Sequence, residues 1–332
     1  MIAKENVLIS SLTTMKIGGV ARYVLEVEKV EEIAYAYNFA RERNLPTFVL
    51  GGGANTIGRD EGFNGVIILN RIRGINIDGA VIHAMGGEIW DNVVQFACER
   101  NFSGIEALSK IPGTAGAAPV QNIGAYGQDI SQVFESAEVF DTTDCQFKAL
   151  TKDRMSFGYR KSILNTTMRG RFFVVAVNLR LKYGEMQRPF YKSIENYIAT
   201  TGETDFSPMS IRNIVSTIRA SKLPDPEVEA SAGSFFKNVY LNDAEAAEAE
   251  AKGIPVYRGA DGNKINSGWL IEKAGFAGHE YYGMQVSNKA ALVLINKSAK
   301  GYADLAAARE KIVQRVEKMF GYHLEQEPVE II

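Results

Sequence analysis

Thr47-Phe48-Val49-Leu50-Gly51-Gly52-Gly53-Ala54-Asn55 is a β-prone run that breaks into three consecutive glycines. Aromatic and β-branched side chains suit a buried strand, and glycine frees the backbone where it must turn sharply or approach another group. The stretch therefore predicts a strand that ends in a glycine loop. Main-chain N–H groups in such a loop can face a diphosphate, because no Cβ stands in the way. The spacing fits neither the dinucleotide fingerprint G-x-G-x-x-G nor the P-loop, whose Lys-Ser/Thr ending is missing. Taken alone, three glycines more often make a tight turn than a ligand cradle.

Working outward, residues 30–44 place Ile33, Tyr37 and Ala40 on one helical face, with charged residues elsewhere. Residues 65–70 read as a second apolar strand. Ile75-Asn76-Ile77 and residues 81–84, joined through Asp78-Gly79, read as a hairpin, and a helix follows with Trp90, Val93, Val94 and Ala97 inward. Residues 103–127 differ in kind: IEALSKIPGTAGAAPVQNIGAYG is rich in Gly, Ala and Pro and has little periodicity, so a long ordered loop is expected. Two glycine loops in one chain suit a large cofactor with a diphosphate and a flat ring.

Between residues 172 and 182, Val177, Leu179 and Leu181 alternate with Asn178, Arg180 and Lys182, the pattern of a half-buried strand. Ser207-Pro208 opens a helix with Ile211, Ile214 and Ile218 as its stripe. An Ala/Glu helix over 243–252 stops at Gly253. A longer one carries Leu305, Ala308, Ile312, Val316 and Met319 inward and stops at Gly321.

Three isolated features carry chemical potential. Phe157-Gly158-Tyr159-Arg160 sets a guanidinium beyond a glycine turn, where it can grip a carboxylate, although a surface arginine is the plainer reading. Residues 231–238, SAGSFFKN, surround Ser234 with small and aromatic neighbours; a turn into a strand is the plainer reading. Leu324-Glu325-Gln326-Glu327 places acids near the end of the chain, where a solvated tail is the plainer reading. No His is suited to a triad with Ser234.

Composition narrows the class. The chain has 332 residues, 46% hydrophobic and 23% charged, enough for two or three domains. Its 37 Lys and Arg against 39 Asp and Glu give no basic field for nucleic acid. Cys98 and Cys145 lack zinc-site spacing, so no metal is expected and a reducing compartment fits. Residues 1–19 lack the pattern of a leader, and nowhere do about 18 apolar residues run together, so a cytoplasmic protein away from the membrane is expected.

Read together, these stretches resemble the UDP-N-acetylenolpyruvoylglucosamine reductase family, flavoenzymes of the vanillyl-alcohol-oxidase type of FAD-binding fold. The resemblance runs nearly end to end: Thr14-Met15-Lys16-Ile17-Gly18-Gly19, residues 50–55, residues 111–127, residues 157–160, Lys222-Leu223-Pro224-Asp225-Pro226, residues 232–238 and Gly268-Trp269-Leu270-Ile271. It implies an α+β chain: a two-subdomain FAD-binding fold, residues 1–70 and 71–220, and a C-terminal α/β substrate-binding domain over 221–327, with the tail 328–332 returning to the first subdomain.

The resemblance also implies site residues. Gly51, Gly52, Gly53, Ala54, Asn55 and Thr56 would cradle the diphosphate of non-covalent FAD. Ile111, Pro112, Gly113, Thr114, Gly116, Ala117, Gln121, Gly124, Ala125 and Tyr126 would follow its ribityl and ring portion. Arg160, Ser234 and Glu327 would form the catalytic set, with Glu325 as the fallback for Glu327. Lys222, Asn238 and Lys264, with Arg219, would meet uracil and diphosphate. Tyr159 and Tyr257 would line the substrate, and Tyr191 would close over the nucleotide, as in the subclass with a longer middle insertion. NADPH would be the reductant, the UDP-N-acetylglucosamine enolpyruvyl ether the substrate, peptidoglycan precursor synthesis the setting, and the protein a monomer.

Departures from the family's pattern are Ala54 in place of a serine, the shifted Pro328, and Ser287 in place of a frequent histidine. Rival readings are an oxidase or dehydrogenase of the same flavin fold acting on a small alcohol, and a nucleotide-sugar binding protein without catalysis.

Overall fold

The computed structural model describes residues 1–259 and 262–332. They divide into two compact units: residues 1–7, 21–52 and 64–221 form the first, and residues 8–20, 53–63 and 222–332 the second. The chain passes from the first to the second between Gly52 and Gly53, inside the glycine loop.

The first unit holds two sheets. Thr47–Leu50 runs parallel to Phe63–Asn70, with Thr47 opposite Val66 and Leu50 opposite Leu69, in a four-stranded sheet completed by Val20–Val27 and Lys4–Leu8. Phe63–Asn70 is buried apart from Asn64, its Val66 and Ile68 packing with Leu25 and with Ile33, Ala36 and Ala40 of helix Glu32–Glu42. Thr47–Leu50, at the edge of the sheet, is half-buried until Leu50 and so departs from the buried strand expected. The second sheet is antiparallel and five-stranded, in the order Gln146–Thr151, Phe134–Asp141, Phe172–Arg180, Val81–Met85, Ile75–Asp78. Helix Trp90–Glu99 buries Trp90, Val93, Val94 and Ala97 against it.

Strand Phe172–Arg180 departs from the half-buried reading. From Phe173 to Val177 every side chain is buried, and the regular alternation holds only beyond that point. The cause is a β-bulge: Ala176 stands opposite Glu138 and Val174 opposite Val139, so Val175 is the extra residue and the facing reverses across it. Phe173 and Val175 therefore enter one core, with Phe140, while Val174, Val177 and Leu179 enter the other.

Helix Pro208–Lys222 begins as expected, with Ser207 Oγ accepting from Ser210 N at 3.3 Å, and its Ile211, Ile214 and Ile218 are buried. Helix Lys192–Thr201, with Gly202 left-handed at its end, was not foreseen.

The second unit has a four-stranded sheet in the order Ser231–Ser234, Val293–Asn296, Met284–Val286, Glu280–Tyr281, and a three-stranded one of Val239–Leu241, Gly262–Ile265 and Tyr257–Gly259. Asn242 and Glu245 form a reciprocal capping box at helix Asp243–Ala251. Helix Tyr302–Phe320 buries Leu305, Ala308, Ile312 and Val316, but Met319 is 42% exposed, contrary to expectation. Four residues on from Val316, Phe320 continues the stripe instead, packed 5.9 Å from the Trp269 ring. At the end of the chain Val329–Ile331 pairs in parallel with Thr56–Gly58. No helix among the described residues is long and apolar enough to cross a membrane.

Candidate flavin and substrate site

In the first unit the two glycine-rich stretches meet. A Cβ on Gly51 would stand 2.3 Å from Thr114 Oγ1, and one on Gly52 would stand 3.0 Å from Gly113 Cα. One on Gly116 would stand 2.9 Å from Gly86 Cα. At Gly52 and Gly116 glycine is thus demanded by the approach of one main chain to another, and at Gly51 by the Thr114 side chain. Gly113 differs: at φ +126° it faces open space, with nothing within 4 Å of its built Cβ. Arg71 Nη1 donates to Gly51 O at 3.1 Å.

In the second unit Gly53 is left-handed at φ +66°, and a Cβ there would sit 2.1 Å from Leu12 O. Its carbonyl accepts from Thr14 N at 3.1 Å, and Asn55 O accepts from Val329 N at 2.9 Å, so the rest of the loop is pinned by carbonyls. In this unit the amides of Gly53 and Ala54 meet no acceptor among the described residues. Backbone N–H groups without a partner in a loop free of bulky side chains are the donor set that a diphosphate requires, so these residues fit FAD.

Residues 111–127 are held from several sides. Gly113 O accepts from Trp90 N at 3.1 Å, Ala115 N donates to Glu88 O at 2.8 Å, and Gly116 N donates to Gly86 O at 2.9 Å. Thr114 is buried, and Ile111 packs against the core beneath the second sheet. Gly124–Ala125 pairs with Gln128–Asp129 through a turn with Tyr126 at φ 49°.

Arg160 lies against this loop. It is left-handed at φ 53°, its Nη2 donates to Gly124 O at 3.2 Å, and its guanidinium stands 5.2 Å from the Tyr159 ring. Asn122 Nδ2 donates to Gly158 O at 3.1 Å and Asn165 Nδ2 to Arg160 O at 3.0 Å, fixing the turn that presents it. Tyr191, half exposed, meets Tyr126 edge-on with ring centroids 5.8 Å apart. Burial pulls the Arg219 guanidinium below the ordinary value, against the opposing effect of the Tyr126 hydroxyl.

Ser234 and Glu327 lie on segments of the second unit that are joined by main-chain hydrogen bonds. Ser231 pairs with Ile295 and Ser234 with Val293, so three steps on one strand face two on the other. Gly233, left-handed at φ 68° with open space about it, lies within this bulge. A bulge re-aims the side chain beside it, and here that side chain is Ser234. The tail runs alongside: Glu327 N donates to Phe235 O at 2.8 Å, and Lys237 N to Glu325 O at 2.9 Å. Glu325 is spent at the surface, its side chain 70% exposed and paired with Lys237 at 3.1 Å.

Asn238 Oδ1 accepts from Ser267 N at 3.2 Å, and Lys264 pairs with both Tyr240 and Tyr257 in the three-stranded sheet, its Nζ 5.8 Å from the Tyr240 ring. Lys222 and Tyr257 are exposed. A separate groove of this unit, lined by Phe276, Tyr281, Tyr282, Lys311 and Arg315, contains none of the expected residues. Residues that sequence reasoning passed over are Asn165, whose partner Arg160 is five residues away, and Asn122, Asp91 and Arg212, whose partners are distant in the chain. Only Asn122 stood inside a stretch singled out in advance.

Known proteins resemble this chain in sequence and fold. Residues 21–146 match the model of an FAD binding domain, and residues 225–331 match the C-terminal domain of UDP-N-acetylenolpyruvoylglucosamine reductase. The reductase of that name from Burkholderia orbicola is 36% identical over 326 residues, 95% of this chain and 93% of that one. The one from Pseudomonas aeruginosa is 35% identical over 335 residues, 98% of each chain. The one from Vibrio vulnificus is 33% identical over 98% of this chain and 94% of its own. The crystal structure of the Thermus caldophilus reductase has the same fold, with a TM-score of 0.68 at 24% identity, covering 99% of both chains. Identity of a third or more, sustained over nearly the whole length of several relatives, makes the chain a member of the UDP-N-acetylenolpyruvoylglucosamine reductase family.

Proposed function

We propose that the chain performs the reaction for which its relatives are named, with Arg160, Ser234 and Glu327 as its catalytic residues. The substrate is UDP-N-acetylglucosamine carrying an enolpyruvyl ether, the product is UDP-N-acetylmuramate, and the setting is cytoplasmic synthesis of peptidoglycan precursors. FAD, when bound and reduced by NADPH, supplies a hydride to the terminal alkene carbon of that ether.

Charge then builds on the adjacent carbon and spreads into the substrate carboxylate as an enolate, and the protein must meet it. The Arg160 guanidinium offers two parallel donors to the carboxylate. Glu327, in its protonated form, donates a hydrogen bond where an ionised acid would repel. Ser234 Oγ gives its proton to the basic enolate carbon, which a hydroxyl can do only when held in contact with it. Lys222, Asn238, Lys264 and Arg219 take the uridine diphosphate portion, Tyr159 and Tyr257 line the substrate, and Tyr191 closes over the nucleotide. Gly51 to Thr56 and the residues named in 111–126 hold FAD.

The observation that supports this reading is the bulge at Gly233 beside Ser234, with the main chain of Glu327 bonded to the next residue, Phe235. Glu325, with its side chain 70% exposed, is the weaker candidate for the acid. Ser234→Ala tests it. Reduction of the flavin by NADPH should continue at the wild-type rate, and reoxidation by substrate should slow on the order of a hundredfold or more, since the proton is needed only there. Equal loss in both halves would make Ser234 a shaping residue instead.

A further inference from the structure

We propose that Asp91, gripped by Arg212, is a positioning residue that fixes the start of the flavin loop; the proposal rests on the reading of residues 111–126 as part of the FAD site. Both residues belong to the first unit. Arg212 Nη1 and Nη2 donate to Asp91 Oδ1 and Oδ2 at 2.6 and 2.8 Å, a two-pronged pair spanning 121 residues of chain. Arg212 is 5% exposed. The same carboxylate accepts from Lys110 N at 2.7 Å and pairs with Lys110 Nζ at 2.9 Å. Burial pushes the Asp91 carboxyl upward, but Arg212 and the two Lys110 donors outweigh it and hold the group well below the usual range.

Lys110 is the residue before Ile111-Pro112-Gly113 and is left-handed at φ 58°, a conformation a lysine keeps only when its surroundings impose it. Asp91's neighbour in the helix, Trp90, fixes the flanks: Nε1 donates to Leu108 O at 3.0 Å and N to Gly113 O at 3.1 Å. The first two residues of one helix thus hold Leu108, Lys110 and Gly113 in register, and Arg212 holds the second of them. Seven residues on from Arg212, the Arg219 guanidinium interacts electrostatically with the Tyr126 hydroxyl at the far end of the loop. Arg212, through Asp91, therefore anchors one end of the stretch that carries Gly113, Thr114 and Gly116, and Arg219, two turns on along helix Pro208–Lys222, interacts with Tyr126 at the other.

The pair itself could simply pack two helices, so the test separates anchoring from packing. In Asp91→Ala/Arg212→Met no buried charge is left alone, but Lys110 N loses its acceptor. In Asp91→Asn/Arg212→Met an oxygen for that amide is restored. Each apoprotein is titrated with FAD, following quenching of flavin fluorescence, and the visible spectrum of bound flavin and the apoprotein melting temperature are recorded. The first variant should bind FAD about tenfold more weakly, with a changed visible spectrum. The second should return to within about threefold of wild type, whatever its melting temperature.

Wild-type affinity and spectrum in the first variant would overturn the proposal. If that variant does not fold, Arg212→Lys decides: weaker FAD binding supports anchoring, and unaltered binding with a lowered melting temperature overturns it. A wild-type protein that takes up no FAD would sink the cofactor reading itself, a result distinct from either.

Discussion

At Ser234 a single backbone irregularity decides what a hydroxyl can do. Without the extra residue at the bulge, a seryl side chain in Ser231–Ser234 would follow the alternation of its strand; with it, Ser234 is redirected. Glu106 illustrates a different residue-scale effect. It is fully buried, with Oε2 accepting from Gly104 N at 2.5 Å and Oε1 without a partner among the described residues. Burial drives its carboxyl above the ordinary range, against main-chain donors that favour the charged form. For an acid whose folded pKa is raised, the favourable contribution is complete below the unfolded value of about 4.3 and is lost as pH rises through the folded value. Glu106→Gln keeps an oxygen for Gly104 N and removes the ionisation. It should raise the melting temperature at pH 8 and leave it nearly unchanged at pH 4. An equal shift at both pH values would show that ionisation plays no part.

Elements show what a one-dimensional pattern conveys and where it stops. The helix periodicities at residues 33–40, 90–97 and 211–218 were legible because a 3.6-residue repeat is a local property of the sequence. The Val175 bulge was not, because register is set by the neighbouring strand. Phe173, 0% exposed on the face opposite Leu179, is the test of that reversal. Phe173→Ala should destabilise by about 3–5 kcal/mol in denaturant titration, as a fully buried ring does, and less than about 1 kcal/mol would contradict a strand buried on both faces.

The glycine loops divide similarly. Gly53→Ala would bring a Cβ to 2.1 Å from a backbone carbonyl, whereas Gly113→Ala meets nothing within 4 Å and bears only the strain of its φ, about 1–3 kcal/mol. Gly53→Ala should therefore lower stability by more than Gly113→Ala, measured on the apoproteins. The reverse order would mean that the loop can shift as a body. Sequence marked both glycines, but only the neighbours of each explain why it must be one.

For the whole molecule, the family was legible because seven short stretches occur in one order, although each alone has a plainer meaning. What the sequence could not display is the way the chain is shared out. The second unit takes residues 8–20 and 53–63 from the first fifth of the chain, and its last strand pairs with Thr56–Gly58. The expected catalytic set is divided as well, Arg160 belonging to the first unit and Ser234 and Glu327 to the second. Asp91 and Arg212 escaped notice for the same reason: an ion pair across 121 residues leaves no spacing to read.

The account as a whole stands on a flavin reduced by one substrate and reoxidised by another. The direct measurement is the visible absorbance of the purified holoprotein, followed anaerobically through addition of NADPH and then of the UDP-N-acetylglucosamine enolpyruvyl ether. The account predicts that the flavin band bleaches with NADPH and returns, mole for mole, with the ether. A flavin that NADPH leaves oxidised but a small alcohol reduces would contradict it, as would a protein with no flavin band and no uptake of added FAD.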